Sequence, residues 1–206
     1  MNPSTASRLR LALCIVLFAG TIYGLWPRTA LRHPPGVLVA AEPEQHLIAE
    51  QPLPAQRGWT LTAAATYTIQ ARVLHTRRYW DDGSTLVPYD VALGWGPMSD
   101  QSVLDQLKIS QSTRFMFYAW PGTPPIPGKE IGCHSSNNHL IAANPEVAAV
   151  IRKLRVGQIA TLRGWLVNAT SPEGGHWNSS LSRTDDGPGA CELFYVESAR
   201  AEDDVI

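Results

Sequence analysis

Charge is scarce in this chain: 17 % of its 206 residues are Asp, Glu, Lys or Arg, and the formal net charge is −1. A protein that grips a nucleic-acid backbone ordinarily carries a clear Lys/Arg excess, so nucleic acid is not an expected partner. Local absences are as informative. Nothing charged occurs between Leu11 and Trp26, and nothing aromatic between Pro27 and Pro54. No G-x-S-x-G elbow marks a nucleophilic serine, and no H-E-x-x-H spacing marks a zinc protease. With 206 residues and a non-globular beginning, there is room for one domain of ordinary size.

The uncharged run LALCIVLFAGTIYGLW (11–26) follows a short start carrying Arg8 and Arg10, the layout of a signal sequence. Small residues of the kind a signal peptidase needs do not follow closely, because Tyr23, Leu25, Trp26, Pro27 and Arg28 come first. The run is therefore read as a retained transmembrane signal anchor, short for a bilayer span, with residues 1–10 in the cytoplasm and the rest exported. Cys14 is read as an ordinary membrane residue. Residues 27–58 carry prolines at 27, 34, 35, 43, 52 and 54. That composition predicts a semi-stiff spacer, with a short helix possible around Glu42 to Glu50.

Aromatic residues after the anchor gather between Trp59 and Tyr195, so residues 59–199 are the expected domain and 200–206 an acidic tail. Tyr67 to His75 alternates Tyr67, Ile69, Ala71 and Val73 against polar neighbours, the period of a half-buried strand. Ser99 or Asp100 caps an expected helix through Leu107, and Arg114 to Trp120 reads as a central strand, apolar on both faces. The plainest helix begins at Asn144, with Pro145 at its first position and cations near its end. Strands over 158–168, 177–183 and 191–197 follow, joined by short turns. This order predicts an α+β domain built on a small curved antiparallel sheet or a partly open barrel. The passage from that helix into GQIATLRGWLV looks like the centre of an oligonucleotide/oligosaccharide-binding barrel, with Gly164 at the bend. The likeness concerns fold and carries no activity.

GWGPMSD (94–100), ISQS before Arg114, HSSNNHLI (134–141) and SSLSR (179–183) also resemble strings in a set of uncharacterised, membrane-anchored bacterial envelope proteins. The resemblance spans about Ala71 to Val196. It implies attachment to the bacterial inner membrane through residues 11–26 with a periplasmic domain, and it transfers no catalytic residue.

Several residues could carry chemistry. Cys133 and Cys191 are the cysteines of the exported part, an even number in an oxidising compartment, and a disulfide is expected; the alternative is a Cys133 nucleophile beside His134 or His139. In the polar run 134–139, which reads as a loop, His134 and His139 could hold a divalent metal such as zinc with Asp100 or Asp90. The same side chains could equally cap turns, or form a ligand site in which His134, Asn137 and His139 act with Asp100, Arg114, Arg183 and Trp95. Trp80, Trp95, Trp120, Trp165 and Trp177 are core or platform residues. The leading functional expectation is a tethered, non-catalytic accessory domain that binds a small polar ligand or an envelope protein. The alternatives are a metal-assisted hydrolase using His134 and His139, and a structural partner of a membrane complex.

Overall fold

Strands dominate the observed structure, a computed structural model that describes residues 29–182, 184, 185, 187 and 189–203. In chain order they are β1 (Glu44–Gln56), β2 (Trp59–Arg78), β3 (Tyr89–Gly94), β4 (Lys108–Ser112), β5 (Phe115–Ala119), β6 (Ser135–Ala142), β7 (Ile159–Thr170), β8 (His176–Asn178) and β9 (Glu192–Glu202). Three short helices, α1 (Gln101–Leu104), α2 (Gly128–Cys133) and α3 (Pro145–Ile151), accompany them. The expected anchor at 11–26 and the candidate Arg183 lie outside the described residues, among which no helix is long and apolar enough to cross a membrane.

The α+β class is as expected, and the sheet is curved. Its order is β1-β2-β3-β6-β9-β7-β8, and β2 also pairs with β7. The sheet is mixed, however, and not antiparallel throughout: β6 runs parallel to β9, with Asn138 opposite Glu192. The chain between them passes through α3, β7 and β8, which is ample length for a parallel return.

β2 makes the curvature possible. It is 20 residues long and pairs with β1, β3 and β7, with register shifts between Ala63 and Ala65 and between Val73 and His75. Such irregularities bend a strand and increase its twist. The period-two set Tyr67, Ile69, Ala71 and Val73 is buried on the concave side with Val91, Leu93, Leu140, Leu162, Leu166 and Phe194. Tyr67 meets Phe194 edge-on, with ring centroids 4.9 Å apart. Helix α3 adds Val147 and Ile151 to this core. Asn144 caps it as expected, its side chain accepting from the Val147 N–H at 2.9 Å. Gly164 sits at a register shift between β7 and β9, where a Cβ would lie 2.0 Å from the Tyr195 carbonyl oxygen. Only glycine fits that approach.

Four expectations need correction. The stretch 27–58 is no spacer over its described part. Leu31 N–H donates to the Val156 carbonyl at 2.9 Å, Gly96 N–H donates to the Val39 carbonyl at 2.7 Å, and Val39 is buried. Glu44–Gln56 is β1, not a helix, and it pairs with β2. Prolines 52 and 54 are tolerated because β1 ends the sheet order and its outer edge requires no donor. Phe115–Ala119 is no central strand either; it pairs with β4 alone, and Phe117 is half exposed. Finally, the polar run after His134 is strand β6 and not a loop, with Ser135 to Ile141 all buried. Its side chains find local partners: Ser135 Oγ donates to the Ile131 carbonyl at 2.7 Å, and Asn138 Nδ2 donates to Ser136 Oγ at 2.8 Å.

Candidate functional site

The antiparallel register of β3 and β6 sets Asp90 opposite His139 and Ala92 opposite Asn137. Because side chains alternate, Val91, Leu93 and Leu140 fill the concave core while Asp90, Asn137 and His139 face the convex side. There they are covered by the β4–β5 hairpin. Ser112 pairs with Phe115 across its two-residue turn, and Thr113 and Arg114 have φ of 48° and 70°. Both are left-handed, the geometry whose twist suits a tight hairpin, although Asn and Gly usually occupy it.

That turn drives Arg114 onto the sheet. Its Nε donates to Asp81 Oδ2 at 3.0 Å and its Nη2 to Asp81 Oδ1, while Nη1 donates to the Val87 carbonyl at 2.9 Å and to Asp90 Oδ1 at 3.0 Å. The guanidinium carbon lies 4.1 Å from the Tyr79 ring centroid and 5.4 Å from that of Trp177. The Arg114 N–H donates to the Tyr79 hydroxyl at 3.1 Å, and its carbonyl accepts from Asn137 Nδ2 at 2.8 Å. A polar relay continues from there: Gln111 Nε2 donates to Asn137 Oδ1 at 2.6 Å, and Gln111 Oε1 is 2.9 Å from His75 Nδ1.

Asp90 is fully buried, and its Oδ1 is shared: His139 Nδ1 lies 2.9 Å away, an ion-pair contact without aligned hydrogen-bond geometry. Its Oδ2 has no hydrogen-bond partner among the described residues. The Trp177 ring covers His139, with centroids 4.9 Å apart. Titration follows this packing. The hydrogen bond from Arg114 holds the Asp81 carboxyl below its ordinary value, and burial raises the Tyr79 hydroxyl. Burial also pushes the Cys191 thiol up to about 11, outweighing the hydrogen bond from Asn137 that acts the other way.

An Asp–His pair can orient a general base, but that base must then reach a nucleophile. Cys191, the nearest sulfur, donates to the Arg114 carbonyl at 3.8 Å and accepts from Asn137 at 3.5 Å. A thiol raised by burial is a poor nucleophile at neutral pH.

Arg114, Asn137 and His139, three of the expected site residues, thus converge, joined by Asp90 and Cys191. The others do not. His134 ends α2, where its Nδ1 is 2.9 Å from the Glu130 carbonyl, and its ring lies against Gly96, at which a Cβ would come within 2.7 Å. It precedes β6, whereas His139 lies within β6 with its ring between Asp90 and Trp177. The expected His134–His139 metal pair is therefore not assembled, and the described residues contain no cluster of three or more His, Cys, Asp or Glu suited to a metal. Asp100 caps α1 through Ser102 N–H at 2.8 Å and accepts from Gly36 N–H at 3.0 Å, bonds that keep its carboxyl below the ordinary range. Trp95 is buried in the concave core.

The expected disulfide is also absent, since Cys133 and Cys191 are both free. The parallel register sets Cys191 beside Asn137, whereas Cys133 lies four positions upstream at the end of α2. Bridged cysteines have Cα atoms about 4.4–6.8 Å apart, and this register does not bring them together. Tyr79, Asp81, Gln111 and His75 escaped the sequence reading. Asp81 stands in a D-D-G turn that gives no hint of a partner, and the even spacing of Ile109 and Gln111 is the one signal that Gln111 faces inward. No family model, curated protein or solved structure matches this chain.

Proposed function

We propose that this is a membrane-tethered domain of the bacterial envelope, periplasmic and anchored by residues 11–26, that binds rather than catalyses. One observation carries the reading: the groups that could perform chemistry are spent on one another. Arg114 is held by Asp81 and Asp90, His139 lies between Asp90 and Trp177, and the Cys191 thiol is raised. A buried network so engaged fixes the hairpin and shapes the surface around it.

We read the curved sheet as an open relative of the oligonucleotide/oligosaccharide-binding fold. Supporting it, the pairings run β2-β3-β6-β9-β7 and return to β2, β6 and β9 are parallel, and α3 stands between β6 and β7 with its apolar side on the concave core. On such a fold the convex face of the second and third strands of the circuit is a usual binding surface. Here that face is occupied by the domain's own hairpin, so ligands must be met elsewhere.

Two measurements test this reading. The full-length protein should remain in the membrane fraction after a carbonate wash, and recovery in the soluble fraction at full mass would refute the anchor. In a C14S/C133S background, Cys191 should react with a thiol reagent at pH 8 about a hundredfold more slowly in the native than in the unfolded protein, because its pKa rises from 9.0 to about 11. Equal rates would reopen a nucleophilic role.

A further inference from the structure

Three separate elements bring arginines to one cavity. Arg57 occupies the β1–β2 turn, Arg78 ends β2 and Arg152 follows α3, and all three line a hollow of about 420 Å³ floored by Leu140, Ala142 and Ile151. A neighbouring hollow of about 500 Å³ shares Arg57 and Arg152 with it. No carboxylate lines either one, and none of the three guanidiniums has an ionic partner among the described residues. By contrast, Arg32, Arg114, Arg155 and Arg200 are each paired with a carboxylate. Asp82 and Glu173 share a separate hollow with Arg57 without pairing it, so in a chain of net charge −1 three cations with no ion-pair partner around one concavity form a local field that attracts anions.

The wall of this hollow has a planar component. Trp80 is 77 % exposed, and the Arg78 guanidinium lies 3.8 Å from its ring centroid and 5.6 Å from that of Tyr89. Stacking fixes the guanidinium plane while its N–H edges stay available, and it leaves an indole surface open to a ligand. Arg57 has φ of 52°, in a turn where Asn or Gly would sit without strain.

We infer that this groove binds a phosphate monoester carried on a flat or apolar body, a reading that rests on the domain being a binding module. A phosphate presents three terminal oxygens and up to two negative charges, so guanidiniums arriving from three directions can each take an oxygen; a carboxylate has two oxygens in one plane. The aliphatic floor and Trp80 receive the body. A volume of this size suits a small ligand. The phosphate comes either from a soluble monoester or from a lipid headgroup at the adjoining bilayer.

The test uses full-length protein in detergent, titrated with phenyl phosphate and followed by phosphorus NMR. Saturable binding is expected, weakened at least about tenfold in R57N/R78Q/R152Q, since each lost charged contact costs on that scale. W80A should weaken phenyl phosphate more than inorganic phosphate. All three arginines are exposed, and Asn suits the left-handed turn, so the melting temperature should not fall. If the triple variant does not melt cooperatively, R57N and R78Q singly carry the same comparison. Reconstitution separates the sources. Loss of phenyl phosphate binding in phosphatidic acid vesicles, with retention in phosphatidylcholine vesicles, assigns the site to a lipid headgroup; retention in both assigns it to a soluble ester. Absence of saturable binding, or equal affinity in wild type and the arginine variants, would overturn the inference. A membrane-retained protein that fails this titration loses the groove alone, whereas a soluble full-length protein loses the tether and leaves the titration readable.

Discussion

Arg114 and Arg78 are held in the same manner and put to opposite uses. Each guanidinium lies near a tyrosine and a tryptophan, Tyr79 and Trp177 for the first, Tyr89 and Trp80 for the second. Around Arg114 the charge is closed off by Asp81 and by the buried Asp90, and the side chain is 16 % exposed. Arg78 makes no ion pair among the described residues, no carboxylate lines its hollow, and the neighbouring tryptophan is open to solvent. The contrast shows that the aromatic frame orients a cation, while the presence or absence of acidic partners decides whether that cation holds the fold or waits for a ligand.

The largest effect should come from breaking the closed site. R114A leaves the Asp90 carboxylate buried without its main cation, and removing one partner of a buried pair costs about 3–5 kcal/mol. Urea unfolding should show that loss, and D90N/R114M, which removes both charges, should recover much of it. R78A, at an exposed position, should change stability by less than about 0.5 kcal/mol. If R114A were as mild as R78A, the distinction between a closed and an open site would collapse.

A smaller effect separates the exposed from the buried half of the closed site. The Asp81 carboxyl sits below its ordinary value of 3.8 because Arg114 donates to it. A carboxyl with a depressed folded-state pKa adds stability that is present above 3.8 and is lost as pH falls through its folded value. Stability measured from pH 5 downwards should therefore decline less steeply in D81N than in the wild type. Asp81 is 46 % exposed, so solvent screens the pair and the difference should be modest. An identical acid limb in D81N would mean that Asp90 alone holds Arg114.

How far this contrast could be read from sequence depends on the residue. The Asn144–Pro145 helix start, the alternation along β2 and the bend at Gly164 were legible because capping, period and glycine act locally. Strand β6 was not, because most of its polar side chains find partners only within the fold, while Asn138 Oδ1 and His139 Nδ1 are buried without a hydrogen bond, and nothing in a run of serines and asparagines announces burial. Strand β1 hid behind prolines that an edge strand tolerates. Arg114, Asn137 and His139 were recognised as chemistry-bearing residues. Their partners Asp81, Asp90 and Tyr79 arrive through the β3–β6 register and the hairpin turn, which are long-range matters. The groove was harder still, since Arg57, Arg78 and Arg152 are far apart in the chain and share no motif.

The smallest effect compares the two turns that deliver these arginines. Thr113 and Arg57 both hold left-handed backbone, with φ of 48° and 52°, in tight hairpins where Asn is accommodated more easily. T113N and R57N should each stabilise the fold by about 0.5–1 kcal/mol, because the strain of a left-handed non-glycine residue is relieved without loss of a packed side chain. Thermal denaturation measures both gains. Their consequences for binding should then part: T113N lies under the closed site and should leave phenyl phosphate affinity unchanged, whereas R57N removes a cation from the open one and should reduce it. Equal affinities in the two variants would show that Arg57 is retained in its turn for some reason other than a ligand.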